Sequence, residues 1–564
     1  MHRVLFSLAI TFLPSSLVVQ QPQYDLLIRN GRIIDGTGSP WYAGDLAIRD
    51  GRIAAIGTLV GARARRTIDA GRMVVAPGFI DMLGQSDLSI LVAPQLPSKI
   101  FQGITTEFTG EGGSAGPLNE KILAADRTAY EHFKITPDWR TLGQYFSRLE
   151  RQGIGINVGD YVGATQVRRM VLGDDDRTPN REELDRMRQL VREAMRDGAV
   201  GLSTSLQYPP APYAKTEELI ALATEASRAG GVYATHMRSE SDDILPALDE
   251  AIRIGREANI PVEIWHLKVA GKRNFGRMPE VIARIDSARR AGVDIAADTY
   301  AYPAWFNSLS AMVPPWAHDG GTGKLLERLR DPAARRRIRH DMETQGSWEN
   351  NAWQEISNPG AILIGAVQNP ALLPLQGKTL AEVARQRKAD PIDALLDLLI
   401  EDGAYTSVAV FGMDEPDVTL ALQQPWVSIN NDSQGTRPDG ILGRDHPHPR
   451  AYGTFPRILR KYVREEKRLS LEDAIRKFTS LPAQRMRLGD RGVLKAGMWA
   501  DIVVFDPDSV RDRATFEKPH QLSEGMRWVL VNGVPVIADG KATGALPGKV
   551  LRGPGTSGRS SPRQ

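Results

Sequence analysis

Two patterns of apolar and polar positions divide the chain. From Tyr24 to Ile56, short β-rich runs alternate with turns, "YDLLIRNGRIIDGTG" and then "GDLAIRDGRIAAIG". Asn30-Gly31 and Asp50-Gly51 favour tight hairpins, because both central residues of such a turn need a positive φ. The pattern returns near the C-terminus in "ADIVVFDPDSV" and "WVLVNGVPVIADGKATG", with Asn532-Gly533 and Asp539-Gly540. It predicts one small β-sandwich built from both ends of the chain, residues 23–72 and 489–552.

Between these ends, apolar strand-like runs alternate with amphipathic charged stretches such as "REELDRMRQLVREAMRDG" and "TEELIALATEASRAGG". The predicted strands are Met73–Met82, Gly103–Thr109, Gly155–Val162, Ala199–Thr204, Gly231–His236, Pro261–His266, Val293–Tyr300 and Pro425–Asn430. Strand–helix units repeated in this way predict an α/β fold, a (β/α)8 TIM-like barrel over 73–488. Residues 310–405 exceed an ordinary crossover and predict a helical insertion or lid. A further strand-like run, "SVAVFGM" at 407–413, has no evident place in the barrel.

The termini add two expectations. His2 and Arg3 precede an apolar run from Val4 to Leu13, then Pro14 and small residues. This predicts a signal peptide over 1–22 and an exported chain, periplasmic or secreted, with an uncleaved anchor as the alternative. No other segment approaches a spanning length, so no stable membrane span is expected in the mature chain. The last residues, 553–564, are rich in Gly, Ser and Pro and predict a disordered tail.

Composition changes this picture in two respects. Lys and Arg total 71 against 68 Asp and Glu, with no long basic run, so a nucleic-acid partner is not expected. Cysteine is absent, which excludes disulfides, thiolate ligands and a cysteine nucleophile. No G-x-S-x-G elbow occurs, and the Gly-rich "GIGINVG" lacks dinucleotide-fingerprint spacing.

Barrel active sites form where strands end. His236 closes "GVYATH", His266 closes "PVEIWH", Asp432 follows "WVSINN" and Glu111 follows "GITTEFTG". One such residue alone reads as a hydrogen-bonded strand end; together they favour a metal site. Of the remaining histidines, His132, His340 and His520 are expected at the surface, and His318 on the insertion. His446 and His448, in H-P-H after the last strand, are either substitute ligands or parts of a rigid turn.

With these motifs in place the chain resembles the amidohydrolase superfamily, and within it the N-acyl-D-amino-acid deacylases. "LLIRNGRIIDGTG", "VVAPGFID", "QGITTEFTGEGG", "GLSTSLQYPP", "GGVYATHMRSE", "HLKVAGKRNFG", "HPRAYGTFPR" and "TSLPAQRMRLGDRGVLKAGMWADIVVFDP" carry the resemblance over nearly the whole chain after the signal. It implies a zinc-type hydrolase in which the metal activates the water that attacks an amide carbonyl. An aspartate after the eighth strand moves the proton to the leaving amine; Asp432 matches it. His236 and His266 match the histidines of strands five and six.

The match departs in two places. The strand-one H-x-H is Leu83-Gly84-Gln85, two vacated ligand positions. The cysteine expected after strand two has no counterpart, Gly112 standing there with Glu111 beside it. The expectation is therefore one divalent metal, foremost Zn2+, held by Glu111, His236 and His266, with Asp432 as the catalytic proton carrier. The resemblance also implies that Lys268, Tyr302 and Ser308 hold the substrate's α-carboxylate and that Tyr208 faces the carbonyl. Trp265, Trp305 and Phe306 are either an apolar side-chain pocket or core. The expected activity is hydrolysis of N-acyl (D-)amino acids, small-molecule amides with a free carboxylate. The alternatives are a dipeptidase or cyclic-amide hydrolase, or a non-catalytic binding protein.

Overall fold

The structure is a computed structural model and describes residues 23–556. The expected signal over 1–22 and the part of the expected tail from 557 onward lie outside the described residues. Both chain ends meet in one sheet. Its strands run in the order Lys541–Ala542, Val534–Ala538, Met526–Val531, Ile502–Phe505, Val74–Pro77, Tyr24–Ile33, Tyr42–Arg49 and Arg52–Gly57. Ala64–Asp69 adds in parallel to Tyr24–Ile33. The halves join where Val74–Pro77 pairs antiparallel with Ile502–Phe505. The far edge returns on the sheet, with Ile53 N donating to Met498 O at 2.9 Å and Ala500 N to Gly51 O at 2.9 Å. Side chains alternate across each strand, so Leu26, Ile28, Leu46, Ile48, Val75, Ile502 and Val504 share one core.

The barrel strands are Phe79–Asp81, Ile104–Thr109, Asn157–Gly163 interrupted at Tyr161, Gly201–Ser205, Val232–His236, Val262–Ile264, Ile295–Thr299 and Val427–Ile429. All their pairings are parallel. Met82 N reaches Ile429 O at 3.4 Å, linking the first strand to the last. Ile80, Met82, Leu83, Phe108, Tyr161, Val232, Ala234 and Trp265, on its strands or next to their ends, form a buried cluster.

Three expectations are corrected. The run Met73–Met82 is two strands, because Val74–Pro77 belongs to the terminal sheet and Phe79–Asp81 to the barrel. Gly78 sits at the break, where a Cβ would lie 2.2 Å from Thr105 Oγ1. Next, the expected sandwich over 489–552 ends earlier. Residues 547–551 instead lie along the third barrel strand, with Val158 N donating to Lys549 O at 3.0 Å and Leu551 N to Val158 O at 2.7 Å. The first residues of the tail are ordered too, Pro554–Thr556 forming a turn anchored by Gly553 N to Gly198 O at 2.8 Å.

The insertion is not purely helical. Trp305–Ser308, Ser407–Val410 and Ile362–Ile364 form a small antiparallel sheet, which is where the run at 407–413 belongs. Helices Thr322–Arg330, Pro332–Glu343, Leu380–Arg387 and Pro391–Glu401 pack around it. Among the described residues, no helix is long and apolar enough to cross a membrane.

Candidate metal centre

At the C-terminal ends of the barrel strands, Glu111, His236 and His266 converge, with one ligand atom from each lying within 4.8 Å of the others. Glu111 Oε1 is 2.9 Å from His236 Nδ1 and 3.4 Å from His266 Nε2. The two imidazoles stand edge to face, with centroids 4.4 Å apart. Gly112 explains why Glu111 is the side chain offered here. Its φ is +67°, and a Cβ would lie 2.6 Å from Ser205 Cβ, so no side chain fits the next position.

The backbone is strained around this point. His266 has φ +39°, Asp432 +45° and Gln85 +53°, left-handed values that cost on the order of 1–3 kcal/mol each outside glycine. Fixed partners hold two of these bends. His266 N donates to Asp298 Oδ1 at 2.6 Å, and Asn431 N donates to Asp81 Oδ1 at 3.0 Å.

Gln85 and Asp432 form the adjoining wall. Gln85 Nε2 donates to Glu111 Oε2 at 2.5 Å and to Asp432 Oδ1 at 2.9 Å. Buried Arg450 brings Nη1 to 2.8 Å from Asp432 Oδ2, an ion pair without hydrogen-bond alignment. Leu83 does not line this wall. It is buried in the apolar cluster with Phe108 and Trp265; the strand has ended at Asp81, and the left-handed turn at Gln85 (φ +53°) removes the alternation that would put both side chains on one face.

Under the wall, the buried Lys99 Nζ lies among five oxygens. They are Asp81 Oδ2 at 2.7 Å, Asn431 Oδ1 and Ser433 O at 2.8 Å, Glu107 Oε2 at 3.0 Å and Gly84 O at 3.1 Å. Gly84 makes room for this cluster, since a Cβ there would meet Glu107 Oε2 at 2.2 Å.

The electrostatics call for positive charge at the convergence point. Burial and the Lys268 ammonium oppose protonation of His266, yet Glu240, Asp432 and Glu111 outweigh them and raise its pKa to about 9. Burial would raise the Glu111 carboxyl, but hydrogen bonds from both histidines hold it well below its usual range. Asp432 is shifted the other way, raised by burial against the pull of Arg450. Two imidazoles and one carboxylate, buried and converging, fit a divalent cation that prefers N and O donors, zinc foremost.

The centre opens on a cavity of about 450 Å³ that includes Tyr208, Lys268, Trp305, Phe306, Ser308 and Glu355 in its lining. The Tyr208 ring stands edge-on to His236 at 5.0 Å. Lys268 Nζ reaches the cavity paired to Glu240 Oε1 at 2.6 Å. Ser308 Oγ is 2.9 Å from Ser310 Oγ. Tyr302 is not brought to the cavity. Its ring is covered by the Arg457 guanidinium at 4.6 Å and meets His448 edge-on at 5.2 Å, which turns it away. Trp265 is barrel core, whereas Trp305 and Phe306 line the cavity.

The loop histidines do not substitute for the lost pair. His446 Nε2 faces Phe516 O at 2.6 Å, and His448 Nε2 faces Ala304 O at 3.1 Å while its Nδ1 accepts from Arg450 N at 3.0 Å. His340 is exposed as expected, but two other histidines are not free surface groups. His132 Nε2 lies 3.3 Å from Asp445 Oδ2, and His520 is held between Tyr452 Oη at 2.8 Å and Asp445 O at 2.6 Å. His318 is on the insertion and partly buried, and desolvation lowers its pKa to about 4.

Sequence reasoning missed Glu240, Lys99 and Arg450. Glu240 follows His236 by four residues in "THMRSE", and no periodicity marks it. Lys99 lies in the short helix Pro97–Ile100, where a lysine ordinarily reads as a surface group.

The chain matches the amidohydrolase family over residues 66–537. It is 37% identical to the D-aminoacylase of Alcaligenes xylosoxydans xylosoxydans, covering 94% of this chain and 97% of that protein. It is similar to the solved N-acyl-D-glutamate deacylase from Bordetella bronchiseptica, complexed with zinc and a phosphonate mimic of the tetrahedral intermediate. That likeness has a TM-score of 0.78 at 35% identity, over 94% of this chain and 99% of the other. A solved D-aminoacylase, described as having a binuclear metal centre with one-metal activation and second-metal attenuation, is similar with a TM-score of 0.78 at 34% identity over 94% and 100%. Likeness of this extent, in sequence and in fold together, means that the chain belongs to the amidohydrolase family.

Proposed function

We propose that the chain is a metal-dependent deacylase that hydrolyses the amide bond of N-acyl-D-amino acids, using one divalent metal. The convergence of Glu111, His236 and His266 beside Asp432, at the floor of one cavity, carries this reading. D-aminoacylase and N-acyl-D-glutamate deacylase relatives support the substrate class. When bound, zinc supplies Lewis acidity toward the amide carbonyl and makes water a stronger acid.

Each residue then has a part. Asp432, its carboxyl raised by burial, takes the proton of the attacking water and delivers it to the leaving nitrogen. Gln85 and Arg450 fix one Asp432 oxygen each and leave each a second lone pair for that transfer. Tyr208 stays protonated, its pKa raised well above the usual value by burial first and by Glu111 next, and donates toward the carbonyl oxygen. Lys268 and Ser308, both lining the cavity, receive the α-carboxylate, Lys268 while sharing its charge with Glu240.

The cavity as a whole favours substrates with neutral side chains. Its lining includes the carboxylates of Glu240, Glu355 and Asp445, but Lys268 is the single lysine or arginine among the described lining residues. An acidic substrate side chain would meet no uncommitted counter-charge there. Export follows from the N-terminal pattern, and N-terminal sequencing of the native mature protein is expected to start between Ser16 and Tyr24.

The deciding experiment is elemental analysis of the purified protein beside a panel of N-acyl-D- and N-acyl-L-amino acids. Near one zinc per chain with turnover of neutral D-substrates is expected. Protein without metal or turnover would favour a binding protein, and turnover confined to cyclic amides or dipeptides would move the activity within the fold.

A further inference from the structure

Each metal-site imidazole turns one nitrogen inward and the other outward. The inward atoms, His236 Nδ1 and His266 Nε2, face Glu111 Oε1. The outward atoms face a single second carboxylate. His266 Nδ1 lies 3.0 Å from Glu240 Oε1, and His236 Nε2 lies 3.5 Å from Glu240 Oε2. His236 Nε2 is buried and has no aligned hydrogen-bond partner.

A neutral imidazole carries one N–H. If its inward nitrogen ligates, that N–H must sit on the outward nitrogen and needs an acceptor there. Here both outward nitrogens require an acceptor, and the oxygens that face them are the two of Glu240, one to each imidazole. Glu240 is itself nearly inaccessible, at 4% exposure, and its chain is fixed by Ala270 N donating to Glu240 O at 2.7 Å.

We infer that Glu240 is the positioning residue that fixes the tautomer and ring orientation of both metal-binding histidines at once. This rests on the metal reading above. It also couples metal and substrate, because the same Oε1 holds Lys268 Nζ at 2.6 Å. Lys268 Nζ lies 2.7 Å from His266 Nδ1. Two N–H donors therefore compete for one region, and only a carboxylate can accept from both while serving His236 with its other oxygen. A glutamine side chain of the same shape has one acceptor oxygen and leaves one histidine unsupported.

A simpler role is open to Glu240, neutralising the Lys268 ammonium, and the test must separate the two. Zinc affinity is measured on the purified full chain by competition with a fluorescent chelator, for wild type, Glu240→Gln, and Glu240→Gln combined with Lys268→Met. The double variant keeps the net charge and removes the unpaired ammonium, so it also guards against a folding defect in the single variant. Loss of outer-sphere partners of metal ligands weakens binding about 10–100-fold, and that loss is expected in both variants. Recovery of affinity in the double variant would overturn the inference, since the released ammonium would then account for the loss. Unchanged affinity in Glu240→Gln would overturn it alone, whereas a wild-type chain that binds no zinc would remove the metal reading with it.

Discussion

The two halves of the barrel mouth answer the same electrostatic demand in opposite ways. The half built on strands two, five and six gathers Glu111, His236 and His266 with one ligand atom from each within 4.8 Å of the others. The half built on strands one and eight gathers Asp81, Asn431 and two carbonyls, with Glu107 reaching in from strand two, around a lysine ammonium. One half has donors that suit an exogenous cation; the other carries its cation covalently, on the stem of Lys99. Burial would lower the Lys99 pKa, yet Asp81 and Glu107 raise it, so the ammonium stays charged. A barrel mouth without histidines on its first strand can still hold positive charge there, supplied by a side chain.

The contrast breaks most sharply at the histidines. His236→Ala or His266→Ala is expected to lose zinc and to reduce turnover to background, because two protein ligands hold zinc poorly. Metal analysis and activity on the same preparations check this. Asp432→Asn is expected to keep its zinc while kcat falls about 10²–10⁴-fold, the range for a lost proton carrier. If Asp432→Asn loses metal while Glu111→Gln keeps it, the halves have been assigned in reverse.

Lys99→Met tests the other half. Removing one partner from a buried ion cluster leaves uncompensated charge and costs about 3–5 kcal/mol. Denaturant unfolding is expected to show that loss, while zinc affinity at the histidine half stays within a few-fold of wild type. Equal stability would mean that the ammonium does not fill its half.

The smallest effect lies outside both halves, at Glu355 on the insertion. Burial raises its pKa to about 7, against a hydrogen bond from Ser241 that lowers it. The folded state therefore favours the protonated form, and this stabilisation is complete below the unfolded value and lost as pH rises through about 7. Thermal melts from pH 4.5 to 7.5 are expected to fall by a few degrees more in wild type than in Glu355→Gln, since each displaced pKa unit is worth about 1.4 kcal/mol and a chain this size shifts by about a degree per kcal/mol. Parallel melts would show that this carboxyl does not govern the anchoring of the insertion.

Much of this was legible because barrel strands are short apolar runs bounded by turns, with metal-capable residues at their ends. Val232–His236 and Val262–Ile264 followed by His266 are read directly from that rule. Other features were not legible for stated physical reasons. The run Met73–Met82 is continuous in hydropathy, so its partition at Gly78 depends on the Thr105 side chain beside it. Tyr302 has the expected chemistry, but its direction is set by Arg457, more than 150 residues away in sequence. Glu240 and Lys99 act through neighbours that only the folded barrel brings together.

Gly112 has a consequence for the mutational history open to this chain. A single codon change could place a cysteine there, but φ of +67° and a Cβ 2.6 Å from Ser205 Cβ and 2.9 Å from Ser205 N would oppose it. Ser205 and its strand would have to retreat first, whereas Glu111 is already in place beside the two histidines. The packing thus acts as a one-way gate: neighbouring atoms close over the position, and a thiolate there meets a steric barrier that a carboxylate one residue earlier does not.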